Sequence, residues 1–89
     1  MLTREVVENT ISKVVNDFLP QLREDIRYND QIHKTLNEKL MYIDSYRLQG
    51  YILEEVDIKE ENNVVSVTVN ILDNKLNEWE KITLSFSLA

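Results

Sequence analysis

The chain has no cysteine, one glycine, one proline and one histidine, and its single alanine is Ala89. Without cysteine there is neither a disulfide framework nor a thiolate zinc site, and the composition suits a reducing, cytoplasmic setting. One histidine, His33, removes most metal centres built from the imidazoles of one chain. One glycine cannot supply the loops whose bare backbone approaches a phosphate, so nucleotide binding of the common kinds is excluded. No segment approaches the ~20 apolar residues of a membrane-spanning helix. The opening Met1-Leu2-Thr3-Arg4-Glu5 lacks the apolar core of a signal peptide. Neither a membrane nor export is expected. Asn, Ile and Lys are plentiful where Gly, Pro and Ala are scarce, a bias of AT-rich coding found in phages and mobile elements of low-GC bacteria.

What is present is charge, mostly of one sign. The 89 residues allow one domain and carry a net charge of −6. Residues 1–28 hold four basic and five acidic side chains, residues 29–50 three of each, and residues 51–89 three basic and eight acidic. The acidic second half repels phosphate, so direct nucleic-acid binding is not expected, whereas a basic protein partner would be attracted. The same charge also keeps a small protein soluble.

Ahead of Gly50 the apolar positions recur at helical spacing. Val7, Ile11, Val14, Val15, Phe18, Leu22 and Ile26 form one stripe of period 3.6. Thr3 is placed to cap this stripe, and Glu5 falls in the favourable first turn. Pro20 cannot donate to the carbonyl of Asn16, which predicts a helix over about residues 3–27 kinked at that point. Tyr28-Asn29-Asp30 is a break, with Asn29 or Asp30 available as the next cap. Ile32, Leu36, Leu40 and Ile43 then mark a second helix over about 30–48, closed by Gly50 where a left-handed residue is wanted.

After Gly50 the period drops to two. Val65, Val67, Val69 and Ile71 alternate with Ser66, Thr68 and Asn70, and Ile82, Leu84, Phe86 and Leu88 alternate with Thr83, Ser85 and Ser87. Each is a half-buried antiparallel strand with one wet face, over about 64–72 and 79–88. The segment 51–60 is noisier: Ile52, Val56 and Ile58 share a parity that Glu54 interrupts, and its charges suit an edge strand. Glu61-Asn62-Asn63 and Asp73-Asn74-Lys75-Leu76-Asn77-Glu78 supply the two hairpin connections. The expectation is an α+β fold, two N-terminal helices on one face of a three-stranded antiparallel β-meander. Its core combines both helical stripes with Val56, Ile58, Val65, Val67, Val69, Ile71, Ile82, Leu84 and Phe86.

Chemistry is harder to find. A nucleophile needs a neighbouring base, and the only imidazole, His33, lies on the flank of the second helix beside its apolar stripe, where a structural or solvent role is the ordinary reading. Glu54, Glu55, Asp57, Glu60 and Glu61 cluster along a strand and turn, where alternate side chains face opposite ways, and the calcium-loop spacing with its central glycine is missing. No catalytic residue, metal or cofactor is expected.

Three features mark candidate partner surfaces. The first is the acidic set Glu54, Glu55, Asp57, Glu60 and Glu61. The second is the flank of Tyr42, Tyr46 and Arg47, residue types favoured at interface hot spots, although tyrosines there also widen a buried face. The third is Trp79 with Leu76 at the second hairpin loop, where exposed apolar groups are unusual unless they meet a partner. The final strand is moreover a sheet edge whose wet face, Thr83, Ser85 and Ser87, carries little charge, suited to strand addition or a homodimer. The expected function is a small acidic non-enzymatic protein-interaction module, an adaptor, inhibitor or small subunit. The alternative is an acidic nucleic-acid mimic that blocks a DNA-binding protein, and the remaining one is a small enzyme using His33 or the acids.

Overall fold

The change of period at Gly50 becomes a change of secondary structure. The computed structural model describes residues 2–25, 30–43 and 48–88. It holds helix α1 (Arg4–Asp25), helix α2 (Asp30–Met41) and strands β1 (Ile52–Glu61), β2 (Val64–Leu72) and β3 (Glu78–Ser87). The strands form one antiparallel sheet in the order β1-β2-β3, so the molecule is α+β with the element order α-α-β-β-β.

The start of α1 follows from Thr3. Its hydroxyl accepts the Val6 N–H at 3.3 Å and its carbonyl accepts the Val7 N–H at 3.2 Å, satisfying donors that a bare helix end would leave open. The helix then continues through Pro20 to Asp25. Val7, Ile11, Val15, Phe18 and Leu22 are buried along its stripe, while Ile26 and the break at Tyr28-Asn29 lie outside the described residues.

Helix α2 is shorter than the 30–48 expected from apolar spacing. Tyr42 donates to the Glu38 carbonyl at 3.0 Å, but Ile43 donates to Leu40 at 3.3 Å, a three-residue step that tightens the end. Ile43 still packs against the core, so its apolar character served the turn and not a further helical turn. The chain re-enters at buried Leu48, and a turn closed by the Tyr51 N–H on the Leu48 carbonyl at 2.9 Å delivers it to β1. Gln49 and Gly50 take φ of 54° and 88° there, so Gly50 provides the left-handed freedom expected of it.

Strand β1 departs from the sequence reading. Leu53 is buried at 6% exposure, whereas Ile52, grouped by parity with Val56 and Ile58, is 38% exposed. The cause is a β-bulge: Glu54 opposes Asn70 and Asp57 opposes Thr68, leaving Glu55 and Val56 opposite Val69 alone. Glu55 adopts φ 52°. The extra residue reverses parity, so that Leu53 before it and Val56 and Ile58 after it all face the helices.

Strands β2 and β3 follow their alternation. Val65, Val67, Val69, Ile71 and Ile82 are buried, and Leu84, Phe86 and Leu88 pack on the core while remaining half-exposed. The first hairpin turns on Asn62 and Asn63 with φ of 54° and 62°, the paired positive values of a two-residue loop matched to strand twist. In the second, the Asp73 carboxylate accepts the N–H groups of Lys75 (2.8 Å) and Asn77 (3.0 Å), and Leu76 takes φ 64°. A second bulge follows, where Trp79 is the extra residue between Glu78, opposite Leu72, and Glu80, opposite Ile71. No helix among the described residues is long and apolar enough to cross a membrane.

Candidate functional site

Directly opposed residues of a sheet share a face, so the register of the three strands defines what the uncovered face presents. Across the three strands run the rows Glu61–Val64–Ser87, Lys59–Ser66–Ser85, Asp57–Thr68–Thr83 and Glu54–Asn70–Lys81. Its centre is neutral and hydroxyl-rich, with Ser66 and Ser85 oxygens 3.4 Å apart and Thr68 and Thr83 oxygens 3.0 Å apart. Charge is confined to the margins. Of the five acids clustered in the sequence, Glu54, Asp57 and Glu61 lie on this face along β1. Glu55 occupies the bulge, and Glu60 faces the opposite side, where its carboxylate accepts the Asn63 N–H at 3.2 Å. The acidic surface is therefore a row along one edge strand instead of a five-carboxylate cluster. Lys59 stands within it, 3.7 Å from the Asp57 carboxylate.

The two edges of the sheet differ in kind. The β1 edge carries the acidic row and the bulge, and its Val56 carbonyl is occupied by the Asn37 side-chain amide of α2 at 3.1 Å. The β3 edge runs in unbroken register from Glu80 to Ser87. Leu88 donates to the Asn63 carbonyl at 2.8 Å, and these two residues are in register, so 88/63 is a hydrogen-bonded pair. Stepping by two, Phe86, Leu84 and Ile82 bond inward to β2. The N–H and C=O groups of Lys81, Thr83 and Ser85 point away from the sheet. The side chains of Thr83 and Ser85 meet across β2 in the closer, non-hydrogen-bonded pairs, in keeping with their hydroxyl contacts.

The other candidate residues are separated from this region or lie outside the description. Tyr42 is 84% exposed just past α2, so it does not widen the buried face. It lines a groove of about 550 Å³ with Val14, Asp17, Phe18, Gln21, Lys39 and Ile43, in which the Lys39 ammonium sits 5.8 Å from the Phe18 ring centre. Tyr46 and Arg47 fall outside the described residues. Trp79 is half-buried against Tyr51, edge-on at 5.3 Å between ring centres, while its neighbour Leu76 is 68% exposed. Beside Trp79, Asn70 is only 8% exposed and donates to the Glu78 carboxylate at 3.2 Å, a buried outer-face position that alternation assigned to water. His33 lines a shallow notch between α2 and β1 with Lys34, Asn37, Glu38, Val56, Asp57 and Ile58. Among the described residues no group of three or more His, Asp or Glu side chains is placed to hold a metal ion.

Comparison with protein-family models, with curated proteins and with solved structures finds no match to this chain.

Proposed function

We propose that the protein is a non-enzymatic interaction module that receives a basic protein segment along β1. One observation carries this reading: Glu54, Asp57 and Glu61 project from the same face of an edge strand, with Glu55 held beside them by the bulge. Successive outer-face positions on a strand lie about 7 Å apart, so Glu54 and Asp57 are one such step apart across the bulge and Asp57 and Glu61 two, spacings that Lys or Arg side chains on one face of an extended chain would match. Lys59 interrupts the row and already has Asp57 as a partner, so the row is not the uninterrupted anion track that a nucleic-acid mimic requires. Rim charges of this kind act mainly on association rate and on the choice of partner.

The test is capture from the native host with the wild-type chain and with the triple variant Glu54→Gln/Asp57→Asn/Glu61→Gln. A basic protein should be retained by the first, released by moderate salt, and lost by the second. Recovery of the same proteins by both chains would remove the acidic row from the account. Displacement of the captured protein by DNA, and only by DNA, would favour the mimic instead.

A further inference from the structure

We infer that β3 pairs with β3 of a second copy of this chain, antiparallel about a two-fold axis at Leu84, to give a continuous six-stranded sheet. The first ground is the hydrogen-bonding pattern. Lys81, Thr83 and Ser85 direct their backbone donors and acceptors outward along an edge with no bulge between Glu80 and Ser87. The β1 edge, by contrast, is closed by charge, a bulge and the Asn37 bond to the Val56 carbonyl.

The second ground is self-complementarity. An axis at Leu84 sets Thr83 opposite Ser85 of the other copy, in pairs that exchange backbone hydrogen bonds, and sets Leu84 opposite Leu84 and Ile82 opposite Phe86. Even-numbered residues then meet on the helix side and odd-numbered ones on the wet side, so neither face is broken. Leu84 and Phe86, which one chain leaves half-exposed, gain apolar neighbours, while Leu88 lies opposite Glu80 of the other copy at the end of the overlap. Registers centred on Thr83 would instead set Glu80 against Phe86.

The third ground is charge, which does not oppose the second copy that the self-complementary register selects as the occupant. Each chain carries −6, yet the overlapping stretch contains only Lys81 among residues 81–87. Joining β3 to β3 leaves the two acidic β1 edges at opposite ends of the sheet, five strand spacings or about 24 Å apart. That exceeds the Debye length of about 8 Å at physiological salt, so the like charges are screened from each other.

Light scattering across a concentration series should give twice the 10.5 kDa chain mass, falling to the monomer on dilution. Ser85→Pro removes an N–H that points away from β2, so it should abolish the dimer while far-UV circular dichroism is unchanged. Ser85→Lys, placed on the wet face, serves as a second variant of the same kind. The register is read by cross-linking, because the chain has no cysteine of its own. Under mild oxidation Leu84→Cys, a non-hydrogen-bonded pair with itself across the axis and about 4.5 Å between Cα atoms, should give a covalent dimer. Thr83→Cys should not. A wild-type chain monomeric throughout the series, or a dimer indifferent to both Ser85 variants, overturns the pairing. Cross-linking by Thr83→Cys in place of Leu84→Cys overturns the register. A monomer that still captures its partner through β1 leaves the acidic-edge reading untouched.

Discussion

Leu76 is the residue whose backbone and side chain are both out of place. It takes φ 64° and is 68% exposed at the tip of the second hairpin, a left-handed position that costs a Cβ-bearing residue about 1–2 kcal/mol. Leu76→Gly should therefore raise stability by roughly 0.5–1 kcal/mol after allowing for the freer unfolded chain, read as a higher urea midpoint with an unchanged slope. A lower midpoint would mean that the leucine side chain makes contacts outweighing its strain. Asp73, in the same loop, is the residue whose titration is tied to its geometry. The Asn77 N–H, and after it the Lys75 N–H, favour its charged form and hold its carboxyl below the ordinary value. Because the folded value is the lower one, the stabilisation is complete above the unfolded value and is lost as pH falls through the folded one. A carboxyl NMR titration should place the Asp73 midpoint below that of an unstructured aspartate, and Asp73→Ala should flatten the acid limb of the stability profile. Neither feature was legible beforehand: an Asp-Asn-Lys-Leu-Asn run announces a loop, but which residue turns left-handed depends on how the flanking strands arrive.

Among the elements, β2 and β3 were legible because each keeps one parity throughout its core-facing row, and α1 was legible because its stripe and its Thr3 cap agree. The place and extent of β1 at the sheet edge were legible too, but which of its residues face the core was not, because a bulge adds one residue and converts two half-patterns of opposite parity into one buried face. The signal was present in Leu53, Val56 and Ile58, whose spacing of three then two fits neither a regular strand nor a helix. Asn37 holds that irregularity from above through its bond to the Val56 carbonyl. Asn37→Ala should cost about 1 kcal/mol, the net value of one such bond, and should speed amide exchange around residues 55–57 more than elsewhere. Exchange raised evenly over the whole sheet would instead indicate a global loss with no special link to the bulge.

For the whole molecule, a sheet covered on one side by two helices leaves one face and two edges open, and the chemistry of those edges is unequal. Acid, bulge and the Asn37 bond occupy one edge, and a strand that is regular from Glu80 onward and carries no charge past Lys81 forms the other. Dimerisation through the second would present the acidic row twice, at both ends of one sheet. Residue order alone determined the element types and their sequence, the lone glycine as the hinge between two periods, the acidic bias and most of the core, because those depend on spacing and composition within a few residues. Only the tertiary structure decided which acids share a face, that Trp79 packs against Tyr51, that Asn70 is buried and that Asn37 of α2 bonds the β1 edge. Each of these is set by register between distant strands, and register depends on bulges and turns whose outcome no single segment encodes.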